Sequence, residues 1–287
     1  MTRPSAWGMA PPVIRVLVVL LAATALTTAA VEALNWWLAD EAGYALFVRT
    51  TWALLRTLGF LVLIWQVRRG RASAPPLAVI LSVTTLFALA RLVVPREGAP
   101  NLWGLIGFGA VAVLCTAVLV LMYRSEPVRG FLIQPRKGIV FTRKGIDWGP
   151  VQSKRPPTPG WLLTTRVAAL SYSPLMLVAC VVAFGVVFDG DVSAAPVIGM
   201  WFTAALVISY AVLVVTSFLM RQKPWARMGL VWLTALVLLI HLPLCWLLLG
   251  VDGLVRDGGP LLAAALLAMF GLWRSASTAG RTYQSRT

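Results

Sequence analysis

Along the chain, apolar residues neither alternate with polar ones nor form a one-sided helical stripe; they run in long blocks broken by short polar connections. A helix that crosses the hydrocarbon core of a bilayer needs about 20 mostly apolar residues. Eight blocks approach or exceed that length: Val13–Leu34, Ala45–Gln66, Pro76–Val94, Leu102–Tyr123, Leu162–Val187, Val197–Met220, Met228–Leu249 and Pro260–Trp273. Lipid offers the backbone no hydrogen-bond partner, so such blocks satisfy their own amides as helices. The pattern therefore predicts an all-α, polytopic transmembrane bundle with eight spans. Trp36, Trp37, Trp65, Trp103, Trp161, Trp225 and Trp273 fall at or near the block ends, where indole rings prefer the interface. The first block also resembles a signal peptide around Thr27–Ala30, but it continues apolar to Trp36 and Trp37, which favours a retained helix.

Composition agrees. Hydrophobic residues make up 59% of the 287 and charged residues 12%. Soluble domains carry about 25% charged residues.

The net charge of +15 changes the picture only through its distribution. One side of the predicted bundle carries Arg3, Arg68, Arg69, Arg71, the central loop, Arg221, Lys223, Arg227, Arg274, Arg281 and Arg286. The other carries Asp40, Glu41, Glu97, Asp189, Asp191, Asp252 and Asp257, with only Arg96 and Arg256. Basic connections stay in the cytoplasm, so both termini are expected there, in a cell membrane. Arginine outnumbers lysine 21 to 4, a hint of a GC-rich bacterial genome.

The chain divides into residues 1–123, a basic loop at 124–160, and residues 161–287 with a short basic tail. Four spans on each side would enter the membrane in the same direction, as in parallel four-helix repeats. Arg71 to Arg124 and Arg221 to Arg274 are both separated by 53 residues, and each pair ends in Arg-Ser. An offset of 150 also aligns Arg91 with His241. Inside the loop, Arg-Lys-Gly-Ile occurs at Arg136–Ile139 and again at Arg143–Ile146, and Ile139–Thr142 reads as a short strand. Arg136, Lys137, Arg143 and Lys144 form a basic surface that suits anionic lipid or a protein partner. The loop offers no nucleic-acid-binding fold.

Charges within the blocks are costly and so informative. Arg56 sits near the middle of the second block, with Arg49 two turns earlier. Glu32, near the outer end of the first, lies at the depth of Arg49 and is expected to pair with it. Arg91 adds a third cation. Three arginines against one acid leave Arg56 to use carbonyls, the hydroxyls of Thr50 or Thr57, water, or an external anion in an outward-facing cavity. His241, the single histidine, precedes Pro243 and marks a possible proton-linked or kinked position. Pro174 predicts another kink. Cys115, Cys180 and Cys245 form no CxxC pair. No HExxH, GxSxG or P-loop occurs, so neither catalysis, cofactor nor metal is expected. Two functions follow: a non-catalytic accessory subunit docking through its basic loop, or a small permease or lipid-handling protein with an anion or headgroup site at Arg56.

Overall fold

The computed structural model describes residues 11–37, 43–90, 102–132, 137–142, 145–150 and 160–284, with some side chains inside these ranges, Arg49 among them, left undescribed. The helices are α1 (Pro12–Trp37), α2 (Tyr44–Arg68), α3 (Ala74–Leu89), α4 (Leu102–Arg124), α5 (Glu126–Leu132), α6 (Gly160–Leu170), α7 (Tyr172–Phe188), α8 (Ala195–Met220), α9 (Pro224–Gly253) and α10 (Gly259–Gln284). The chain is an all-α helical membrane bundle. Among the described residues, six segments combine the length and hydropathy needed to cross a bilayer, and Ala74–Leu89 is a shorter apolar helix.

The fifth block departs from the expected pattern for a local reason, whereas the last segment breaks between the two blocks expected there, Met228–Leu249 and Pro260–Trp273. The fifth block is two helices, α6 and α7, broken at Ser171. Pro174 has no N–H, so the carbonyl of Leu170 loses its helical donor and the ladder parts there. The last segment, Pro224–Ser275, counts as one run of 52 residues but is folded back on itself. Gly250 leaves the helical region (φ 68°, ψ −167°), and a π-helical turn follows at Leu254–Gly258. A straight helix would hold residues 242 and 258 about 24 Å apart. Instead, a methyl at Gly258 would lie 3.0 Å from Leu242 Cδ2. Pro243, expected to kink this segment, keeps helical dihedrals; the break is at Gly250, whose positive φ costs a glycine little.

The helices form two groups. In the first, α1 packs on α2 and α4, and α3 packs on α2 and α4. Its core includes Leu17, Leu21, Phe60, Leu63 and Met122. In the second, α7, α8, α9 and α10 pack in sequence, and α6 closes the group against α10. Its core includes Tyr172, Met176, Trp201 and Leu230. The groups meet where α2 and α3 touch α6, α7, α10 and the π-helical turn.

Between the groups, β1 (Lys137–Thr142) pairs antiparallel with β2 (Gly145–Pro150), register Lys137↔Pro150 to Thr142↔Gly145. The strand read from Ile139–Thr142 is thus one arm of a hairpin. Of the basic loop residues, Lys137 opens β1, while Arg136, Arg143 and Lys144 lie outside the described residues.

Candidate functional site

Arg56 is the most deeply placed described charge. It projects from α2 into the seam between the groups and is only 4% exposed. Its Nη1 donates to the carbonyl of Thr84 on α3 at 3.1 Å, and its Nε has no partner among the described residues. The hydroxyls expected to serve it are engaged elsewhere: Thr50 donates to Glu32 Oε1 at 3.1 Å, and Thr57 donates to the carbonyl of Ala53. Because a buried guanidinium with an idle N–H is costly, the position needs an explanation beyond helix packing.

A crevice of about 290 Å³ supplies a place for a partner. Arg56 and Thr84 form part of one wall, with Trp52 and Leu55 beside them; Leu170, Ser171 and Pro174, from the α6–α7 break, form the other. The α6–α7 break thus lines the same crevice as the arginine. The exposed rim residues are Leu55 and Pro174, both well inside helical segments. The crevice therefore opens between the flanks of helical segments.

The fields that reach Arg56 come from Glu32, Asp257 and Arg256. Sequence reasoning placed Arg256 and Asp257 in an outer loop as topology signals. The π-helical turn instead carries them back into the seam. Arg256 Nη2 lies 2.7 Å from Asp257 Oδ2, and Nη1 lies 3.8 Å from Asp252 Oδ2. Their only sequence signal was the GVDG and RDGG glycine spacing around them, which allows the chain to double back.

The other expected residues do not converge on this site. Glu32 is held by Thr50; its expected partner Arg49 has no described side chain, and Arg91 lies outside the described residues. His241 is fully buried in the second group. Its Nε2 lies 3.4 Å from Cys245 Sγ, and Trp201 packs over it with ring centres 5.3 Å apart. Among the described residues no cluster suited to a metal occurs. Compared with protein-family models, curated proteins and solved structures, the chain matches none of them.

Proposed function

We propose that this is a non-catalytic, lipid-handling protein of a bacterial cell membrane, one that takes the anionic end of an amphiphile at Arg56. It crosses the bilayer eight times, with both termini in the cytoplasm. The ligand enters sideways past Leu55 and Pro174, so its tail stays in the bilayer while its head reaches the seam. The observation that carries this reading is the union of a buried, incompletely paired guanidinium with a crevice rimmed by the exposed Leu55 and Pro174. A helix broken at membrane depth, facing that site, is a recurring device of transport proteins. Docking of a protein partner through residues 124–160 has no comparable observation in its favour.

Native mass spectrometry of protein released from lipid nanodiscs tests the reading. Wild type retains an anionic amphiphile that Arg56→Leu loses and Arg56→Lys partly keeps. If Arg56→Leu carries the same lipids and is also more stable, Arg56 is a helix-packing residue and the proposal fails.

A further inference from the structure

A second site, at the C-terminal end of α2 and about three turns beyond Arg56, emerges from how that helix stops. Helix α2 ends in a Schellman turn. The N–H of Gly70 bonds the carbonyl of Val67 at 3.0 Å, and the N–H of Arg71 bonds the carbonyl of Gln66 at 3.0 Å. Gly70 sits at φ +61°, and a Cβ there would meet the Phe131 carbonyl oxygen at 2.8 Å, so glycine is required on two counts. Ser73 ties the far side of the turn to Gln66 through a 2.9 Å hydrogen bond.

This turn has a chemical consequence. A Schellman motif normally brings the residue after the glycine against the helix's last turn through an apolar contact. Here that residue is Arg71, and the surface it meets is Trp65. Arg71 Cζ lies 4.4 Å from the indole centre, and Arg69 Cζ lies 4.2 Å from the same ring. Two guanidinium groups are thereby fixed on one tryptophan. Among the described residues neither has an acidic partner. Stacking engages the guanidinium faces and leaves N–H edges to take oxygen ligands.

The same side of α2 supplies an apolar track leading to the pair. Leu54, Leu58, Leu61, Val62 and Trp65 are all exposed. From residue 54 to 65 a helix rises about 16 Å, about half the hydrocarbon thickness of a bilayer. A lipid tail fits this track with its headgroup at Arg69 and Arg71.

We infer that Arg69, Trp65 and Arg71 form a clamp for the phosphate of an anionic lipid lying along α2. The arginines form one rigid phosphate-binding unit, whereas scattered interfacial charges would act independently. This assignment stands whether or not Arg56 holds a ligand.

Nanodiscs of phosphatidylcholine doped with phosphatidylglycerol, analysed by native mass spectrometry, provide the test. A basic residue held against an anionic headgroup contributes about fivefold to binding, so Arg69→Gln with Arg71→Gln lowers phosphatidylglycerol retention about 25-fold. Gly70→Ala keeps both charges but loses most of the preference, because the turn that positions them is strained. Arg221→Gln with Arg227→Gln, a control at another basic connection, leaves retention near wild type. The clamp is overturned if wild type shows no preference for phosphatidylglycerol, if the control falls as far as the Arg69 and Arg71 variant, or if Gly70→Ala folds and retains lipid like wild type. If inorganic phosphate alone binds as tightly as the lipid, the site takes free phosphate and the lipid assignment is wrong.

Discussion

Replacing Asp257 with Asn isolates the energetics of the seam. Arg256 and Asp257 make two hydrogen bonds, Nη2 to Oδ2 at 2.7 Å and Nε to Oδ1 at 3.4 Å, and each side chain is 9% exposed. Removing one partner of a buried pair costs about 3–5 kcal/mol, because the other charge is left without compensation. Asp252 tempers that loss, but it is 3.8 Å away and 33% exposed. A partner of that kind supplies at most about 1 kcal/mol. Asp257→Asn should therefore destabilise by about 3 kcal/mol, and Asp252→Asn by less than about 1 kcal/mol. Replacing both members, Arg256→Leu with Asp257→Leu, removes attraction and desolvation cost together and should lie within about 1 kcal/mol of wild type. Equilibrium unfolding by SDS titration, followed by tryptophan fluorescence, measures all three. If Asp257→Asn is indistinguishable from wild type, the pair is solvated and the buried seam is wrongly drawn. If the double variant is as unstable as the single one, packing of the π-helical turn, and not charge, dominates.

Three further outcomes follow from packing. A methyl at Gly271 would lie 2.6 Å from Thr165 Oγ1 and 2.9 Å from the Trp161 carbonyl, so Gly271→Ala should cost about 1–3 kcal/mol in the same titration, whereas Gly199→Ala, with nothing within 4 Å, should not. Pro174→Ala restores a donor to Leu170; hydrogen exchange across Ser171–Leu175 should slow, and unchanged exchange would mean that the proline does not cause the break. Cys115, Cys180 and Cys245 are all buried, so maleimide should label them only after unfolding; rapid labelling of the native protein would contradict this packing.

The helices were legible because lipid imposes one length and one composition on every span. Their breaks were less so. Pro174 announced the division of the fifth block, since a missing N–H has a local effect. Pro243 did not break α9, because a helix can continue past a proline whose freed carbonyl finds other support. Gly250 ends it because glycine tolerates the required φ, at the point where the apolar block gives way to Asp252 and Asp257. The site was half visible. Arg56 stood out as a charge in a hydrophobic block, but Arg256 and Asp257 read as loop residues until the π-helical turn folded them inward. Depth in a bilayer follows from the path of the chain, and composition reports it only where that path is straight.

The two helix groups bear on why Arg56 is single. The start of α3 and the start of α9 are separated by the 150-residue offset, and the starts of α2 and α8 agree with it to within one residue. A pair of repeats closed by a two-fold axis would repeat every contact, so that α2 against α7 would require α8 against α1. Helix α8 makes no substantial contact with the first group. The groups are instead joined from one side, edge to opposite edge. Under the offset, Arg56 corresponds to Leu206 on α8, which is 48% exposed to the surroundings. A cation is tolerated at position 56 because α2 is covered there and offers it a carbonyl; at position 206 the same cation would face lipid, with no partner of that kind. One-sided docking thus creates a seam that covers Arg56 and leaves its counterpart position uncovered. Leu206→Arg provides the complementary test: with no seam to receive it, the new charge should lower stability by about 2.5–3.5 kcal/mol and bind no amphiphile. Gain of a second bound amphiphile in native mass spectra would show that the helix position, and not the seam, makes the site.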